Sequence, residues 1–307
     1  MPSIRELAKR ESRFVSGHRL CAGCGAGIVM RLVLLAIDKP VIASCSTGCV
    51  EVASTIFPYS SWKVPWIHSA FENSASTISG IEAAYNVFKR EGKIEKEIVF
   101  VGFGGDGGTH DIGFQALSGA AERGHNVLYI CYNNQAYMNT GIQRSGATPK
   151  YAHTTTSPVG KVIPGKIQWQ KNLVEIMVAH GIPYAATSIP GRWNDLVNKV
   201  EKAIKINGFK YIEVLSPCRL GWPHEPELTM EISRLAVETC LWPLYEVFEG
   251  KYKLTYKPKE KKPISEWFKL QGRFRHLLLP QNTQLLEEIQ KEIDRRWENL
   301  LRKCEEI

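Results

Sequence analysis

Five short apolar runs in the first two-thirds of the chain read as strands: residues 41–43, 98–103, 127–132, 184–186 and 211–215. Longer segments with helical spacing lie between and around them, at 27–37, 77–91, 113–123, 173–180 and 193–207. Near-continuous apolar strands alternating with helices predict an α/β fold, a parallel sheet with helices on both faces. Such sheets bind ligands beyond the carboxyl ends of their strands, so residues leaving the strands there are the first to examine for chemistry. Residues 137–168 are rich in Thr, Gly, Ser and Pro with weak periodicity. A long irregular stretch inside a compact domain predicts a functional loop.

After about residue 235 the pattern changes. A Lys/Pro-rich connector, KYKLTYKPKEKKP, leads to a helical segment with Leu285, Ile289, Ile293, Trp297 and Leu300 on one face. The expected organisation is a main domain over 1–235 and a C-terminal helical extension over 236–307. The apolar stripe is expected to dock on the body or on a partner subunit, and the connector reads as a solvated basic loop.

A chain of 307 residues with 44% hydrophobic content can bury one large core, or a core plus an appendage. No apolar run approaches the ~20 residues needed to cross a bilayer, and the charged start MPSIRELAKRESRF lacks the apolar stretch of a secretory signal. The expected location is cytoplasmic, where the eight cysteines would be free or metal-bound rather than disulfide-bonded. Much of the net charge of +8 lies in the connector, and no basic stripe is interleaved with stacking aromatics. Neither nucleic acid nor a membrane is expected as a partner.

The second apolar run breaks into Gly104-Gly105-Asp106-Gly107-Gly108, and the third ends in Asn133-Asn134. Two strands ending in hard oxygen donors suit Mg²⁺, which shares such ligands with a phosphate. Glycines beside the acid let backbone N–H groups approach an anion that bulkier residues would hold off. The sequence G-D-G, then a helix, a strand and N-N, is the pattern by which thiamine-diphosphate enzymes hold the Mg–diphosphate end of the cofactor. A glycine turn with a capping Asp would account for the G-D-G alone, not for the spaced amides.

Cys21 and Cys24 form a C-x-x-C in HRLCAGCGAG, Cys49 lies in CSTGCVE, and Cys218 follows a strand in VLSPCRL. Two cysteines in a tight turn and two from distant loops make a tetrahedral thiolate site for Zn²⁺ or an iron–sulfur cluster. Cys45, in the same loop as Cys49, could substitute for it. Cys131, Cys240 and Cys304 read as bystanders. Thiamine chemistry on a 2-oxoacid releases CO₂ and leaves a strong reductant, whose electrons a cluster can take and zinc cannot. That linkage favours the cluster.

The blocks GHRLCAGCGAG, STGCVE, SAFENSASTISGIEAAY, GFGGDGGTHDIGFQALSGAAERGHNVLYICYNNQAYMNTGIQRSGATP and SPCRLGW, with ISRLAVETCLWPLYEV and QGRFRHLL, span nearly the whole chain. They resemble the β subunit of 2-oxoacid:ferredoxin oxidoreductases, most of all the pyruvate:ferredoxin type. The resemblance implies a thiamine-diphosphate-binding fold with a [4Fe–4S] cluster on Cys21, Cys24, Cys49 and Cys218, leaving Cys45 outside. It implies Mg²⁺ held by Asp106, the Asn134 side chain and the Ala136 carbonyl. Gly105, Gly107, Phe71 and Cys49 would border the cofactor, and Asn139 would act as an active-site asparagine near the substrate. His68, His110 and His153 are proton carriers by residue type alone, and structural roles are favoured for each.

The implied reaction is oxidative decarboxylation of pyruvate to acetyl-coenzyme A and CO₂, with electrons passed to ferredoxin. The implied partners are a pyrimidine-domain α subunit supplying an acidic residue, a γ subunit and a ferredoxin-like δ subunit, without which the chain would be inactive. Two departures stand out. Asn133 replaces the family's usual Asp, removing a negative charge near the metal, and KYAHTTTSP follows SGATP where a glycine is expected. A less acidic, Lys- and His-bearing loop would favour a more anionic substrate, so oxalate is the alternative, beside a branched-chain 2-oxoacid. Readings from other classes are a non-oxidative thiamine enzyme with structural zinc and a non-catalytic metal-binding scaffold.

Overall fold

A computed structural model describes residues 3–305. Its eight strands are β1 (Val41–Cys45), β2 (Trp66–Ile67), β3 (Val99–Gly105), β4 (Val127–Asn133), β5 (Tyr184–Ser188), β6 (Lys210–Leu215), β7 (Leu244–Phe248) and β8 (Lys251–Tyr256). They form one sheet in the order β2-β1-β3-β4-β6-β5-β7-β8. The first six pair in parallel, while β7 and β8 add on antiparallel. All five strands expected from the apolar runs are present. Central strands β4 and β6 are buried at every residue, which is why they read as continuous apolar runs.

The helices are α1 (Ile4–Lys9), α2 (Gly25–Ala36), α3 (Cys49–Ser54), α4 (Ser74–Arg90), α5 (Phe114–Glu122), α6 (Leu173–Ala179), α7 (Trp193–Ala203), α8 (Thr229–Glu238), α9 (Ile264–Lys269) and α10 (Thr283–Glu305). One core cluster packs α2 and α7 on one face through Val29, Met30, Val33, Leu196 and Val200. The other lies under α4, α5, α6, α8, α9 and α10 on the opposite face. No helix among the described residues is long and apolar enough to cross a membrane.

One expectation is corrected. Residues 251–256, expected as part of a solvated basic loop, are the edge strand β8. Tyr252, Leu254 and Tyr256 turn toward the body while Lys251 and Lys253 face out, an arrangement that discourages pairing with another chain. The period-2 signal K-Y-K-L-T-Y was masked by the basic composition. A two-residue turn with Glu249 and Gly250 both at positive φ (47° and 79°) joins β8 to β7, as a tight hairpin requires.

The sheet therefore runs through the boundary expected after residue 235. On α10, Ile289, Ile293, Trp297 and Leu300 are buried in the same cluster as the β4 and β6 side chains. Packing shows no break at residue 235, because hydrogen bonding to β5 and burial of the α10 stripe both tie residues 236–305 to the body.

The parallel register brings the carboxyl ends of β1, β3, β4 and β6 to one edge. Asp106, Asn134, Cys49 and Cys218 all follow strands at that edge. Residues 137–168 contain isolated bridges but no helix or strand. Buried Lys166 holds part of this stretch by donating to the carbonyls of Ser145 (3.3 Å), Gly146 (3.4 Å) and Thr148 (2.6 Å).

Candidate functional site

Asp106 leaves β3 completely buried and opens a π-helical turn, Gly107–Ile112. Its Oδ1 accepts from the backbone N–H groups of Asn134 and Gln135, both at 3.1 Å, and its Oδ2 from Ser145 Oγ at 2.5 Å. Burial pushes the carboxyl up to about 6, although the Ser145 hydroxyl, the nearby His110 and the N–H donors all favour the charged form. Gln135 adopts a left-handed φ of 65°, which folds the β4 loop back over Asp106. Gly107 has no room for a side chain, since a Cβ there would stand 2.5 Å from the Tyr137 ring.

One terminal atom of the Asn134 carboxamide stands 2.8 Å from the Ala136 carbonyl oxygen and 3.0 Å from Asp106 Oδ1. As an NH₂ group it would donate to both. As the carbonyl oxygen it would meet two further oxygens with no proton between them, an arrangement that a bound cation would satisfy. Adjacent ligands of an octahedral Mg²⁺ with bonds of 2.0–2.1 Å lie about 2.9 Å apart, which matches the observed spacing. The donor set fits the ion.

Gly105, Gly107, Asn134, Ala136, Asn139, Cys49 and Phe71 line a single cleft above these oxygens. The Phe71 ring packs on Tyr137, with centroids 5.6 Å apart. Asn139 is exposed on the rim. All the residues expected around the cofactor are thus gathered at one place.

The four expected cysteine ligands come from three points on the same edge. Cys24 immediately precedes α2, Cys49 opens α3, and Cys218 lies just after β6. The C-x-x-C turn is seated by Gly23, at φ 73°, where a Cβ would stand 2.7 Å from Pro226. The Gly25 N–H also donates to the Pro217 carbonyl at 3.1 Å.

Burial pushes the Cys49 thiol up to about 12, and the nearness of Cys218, Cys24 and Cys21 adds to it. Cys24 and Cys218 are also raised, chiefly by burial, and each is opposed by backbone N–H groups that point at the sulfur. A cluster of thiols that repel one another as thiolates calls for a positive centre among them. Among the described residues no three of these sulfurs lie within 4.8 Å of one another. Cys45 ends β1 fully buried, and Glu51 is the charge that reaches it.

Sequence reasoning missed Arg273, which links the two sites from the C-terminal region. Its guanidinium is buried, donates to Gln135 Oε1 (2.6 Å) and Gln271 Oε1 (3.0 Å), and lies 4.0 Å over the Trp222 ring. Trp222 Nε1 in turn donates to the Asn134 carbonyl at 2.8 Å. Burial drives Arg273 well below its ordinary value, while Cys218 and Asp106 both draw it back. The block QGRFRHLL carries two arginines and a histidine, so nothing in it singled out Arg273.

Glu213 was missed as well. It is buried at the centre of β6, where its Oε1 accepts from His110 Nε2 (2.8 Å) and Asn133 Nδ2 (2.6 Å). The acid in the apolar run YIEVL was its signal, because a buried carboxylate needs partners. Burial lowers His110, but the Glu213 charge and hydrogen bond outweigh it and the ring ends above its usual value. Cys131 lies within 4.8 Å of this pair, and burial holds its thiol far above the usual range.

The two departures noted in the sequence look different in three dimensions. Asn133 does not leave the loop without a carboxylate, because Glu213 supplies one from the neighbouring strand. Lys150 does not face the cleft. It pairs with Glu288 of α10 at 2.5 Å and stacks on Trp169 at 4.7 Å. His153 accepts from the Val159 N–H, and His68 is held between Cys45 O and Thr47 Oγ1. The loop argument for a more anionic substrate thus loses its basis.

The fold and the cleft define a thiamine-diphosphate-binding domain. Residues 46–214 match the family model described as thiamine pyrophosphate enzyme, C-terminal TPP binding domain. The pyruvate synthase subunit PorB of Methanocaldococcus jannaschii is 55% identical over 93% of this chain and 95% of its own length. PorB of Thermotoga maritima is 51% identical over 97% and 94%, and the ketoisovalerate oxidoreductase subunit VorB of Pyrococcus abyssi 44% over 96% and 94%. A solved 2-oxoglutarate:ferredoxin oxidoreductase from Magnetococcus marinus shares the fold, with TM-score 0.56 and 19% identity over 73% of this chain and 79% of that one. The chain belongs to the 2-oxoacid:ferredoxin oxidoreductase family, as a subunit of the PorB type in a multi-subunit enzyme.

Proposed function

We propose that this subunit carries the thiamine diphosphate and the proximal [4Fe–4S] cluster of a pyruvate:ferredoxin oxidoreductase. One observation carries the reading. Cys49 lines the same cleft as Gly105, Gly107 and Asn134, so the cofactor pocket and the thiolate set share a wall. Bound thiamine diphosphate would supply decarboxylation of the 2-oxoacid and two electrons, and four thiolates would hold the one-electron acceptor. Higher identity to pyruvate synthase subunits than to the ketoisovalerate subunit supports pyruvate over a branched-chain acid. The relocated carboxylate at Glu213 and the paired Lys150 remove the sequence argument for oxalate.

Within this reading Asp106 Oδ1, Asn134 Oδ1 and the Ala136 carbonyl hold Mg²⁺, which neutralises the diphosphate. Cys21, Cys24, Cys49 and Cys218 ligate the cluster, and Cys45 stays a core thiol. Asn139 presents its amide to substrate from the rim, where it donates to oxygen on which charge develops. The cleft is open on that side, which supports completion by a pyrimidine-domain α subunit. Subunits of γ and δ type would carry electrons onward to ferredoxin, and coenzyme A would take the acetyl group.

The test is anaerobic visible absorption of the native complex, titrated with pyruvate and with oxalate, each with and without coenzyme A. Bleaching by pyruvate that deepens with coenzyme A is expected. Bleaching by oxalate alone, indifferent to coenzyme A, would replace pyruvate as the substrate.

A further inference from the structure

We propose that Glu213 is a positioning residue that holds the two halves of the Mg–diphosphate site in register. The inference rests on the cofactor site described above. One half of that site is the Asp106 turn, and the other is the Asn133–Ala136 loop. They leave different strands, yet one carboxylate oxygen takes a hydrogen bond from each. His110, four residues past Asp106, donates from the turn, and Asn133, one residue before Asn134, donates from the loop. The Asn133 side chain passes the constraint on, because its Oδ1 accepts the Gln135 N–H at 2.9 Å, the same N–H that reaches Asp106 Oδ1 at 3.1 Å.

Packing alone does not do this work. Behind the loop lies a partly open cavity of about 470 Å³, lined by Asn133, Gln135 and Glu213 themselves and, on the far side, by α10 residues such as Ile293 and Trp297. A loop backed by a void is fixed by its hydrogen bonds. A buried carboxylate at the centre of a sheet adds little to stability compared with an apolar residue of similar volume, and its defensible use is to specify one arrangement. Glu213 faces Cys131 across the β4–β6 ladder, which makes Asn133 its diagonal neighbour on the same face.

The geometry also predicts that acid and amide can trade places. In Asn133→Asp the new carboxylate would confront Glu213 at hydrogen-bond distance, with two like charges and no donor between them. In Glu213→Gln combined with Asn133→Asp, the amide at 213 donates to the acid at 133. His110 can turn acceptor at Nε2, because its Nδ1 has no partner among the described residues and is free to carry the proton.

The experiment measures equilibrium binding of thiamine diphosphate with Mg²⁺ to the assembled, cofactor-stripped complex, together with visible absorption of the cluster. Glu213→Gln and Asn133→Asp should each weaken binding about tenfold or more, the scale of a charge-assisted hydrogen bond. The double variant should return to within about threefold of the parent, a coupling that separate structural defects would not produce. Cluster absorption should be unchanged throughout. Native affinity in either single variant, or effects that add in the double, would overturn the proposal. If the single variants fail to assemble, assembly and binding by the double variant supports it, and failure of the double as well sinks it. Asp106→Ala separates the two claims, since retention of the cofactor in that variant would refute the site itself rather than the clamp.

Discussion

The cofactor loops and the cysteine loops sit side by side at one edge of the sheet, yet they are built in opposite ways. Around Asp106 the protein satisfies its own polar groups, with two backbone N–H donors and a serine hydroxyl on one fully buried carboxylate. The loop bearing Asn134 is further tied by Trp222 and Arg273. Around the cysteines the seat is mainly backbone and proline packing, Cys21 is exposed, and the thiols raise one another's pKa. The first site is preorganised to receive a ligand of known shape. On the proposed reading the second would gain its order from a metal centre that joins three loops, as thiolate sites commonly do.

The largest expected effect breaks the first site alone. Asp106→Ala should lower turnover of the assembled complex on the order of 10³-fold or more, the scale of losing a preorganised electrostatic group. The cluster spectrum should persist. Loss of both together, seen by cofactor analysis and visible absorption, would mean that the sites are not separable.

Breaking the second site should give the reverse pattern. Cys218→Ser should abolish substrate-dependent bleaching and electron delivery while thiamine diphosphate binding stays within about threefold of the parent. Iron removal should raise hydrogen exchange over residues 18–26 and 217–226 and leave 104–111 unchanged. Equal loosening of both regions would undo the contrast between a preformed and a ligand-ordered site.

Arg273 tests the connection between the two. Arg273→Met keeps the packing on Trp222 but removes a positive charge that both Cys218 and Asp106 feel. The cluster potential should move to more negative values by tens of millivolts, roughly, because the reduced cluster loses a stabilising charge. Cofactor binding should weaken about threefold to tenfold through the unpaired Gln135. Redox titration and binding measurements check the two effects separately.

The smallest effect concerns the loop that covers Asp106. Burial lowers Lys166 to about 8, below its ordinary value of 10.5. Between those two values the unfolded chain holds a proton that the folded one has released, so stability should rise as pH rises through that window. Thermal unfolding from pH 8 to 10 should show this gain, on the order of 1 kcal/mol or more, and Lys166→Met should flatten it.

Five of the six parallel strands were legible because both faces are buried, which leaves continuous apolar runs. The hairpin at 244–256 was hidden because an edge strand alternates, and its exposed positions here are lysines that mimic a solvated loop. Asp106 and Asn134 stood out because a glycine-flanked acid and an amide pair end two successive strands, whereas either alone would read as an ordinary turn. Glu213 was not assigned, since a lone charge in an apolar run reports only that a partner exists, and Arg273 was hidden beside Arg275 and His276. Asn133 and Lys150 were read as altered charge at the active site for the same reason.

The chain by itself determined five of the eight strands, their ends and the residues that reach them, because periodicity and glycine placement act over a few neighbouring positions. Only the tertiary structure decided which charges meet. Glu213 lies eighty positions from Asn133, and Arg273 lies 138 from Gln135. Side-chain pairing across such separations depends on strand order and burial, which local sequence does not encode.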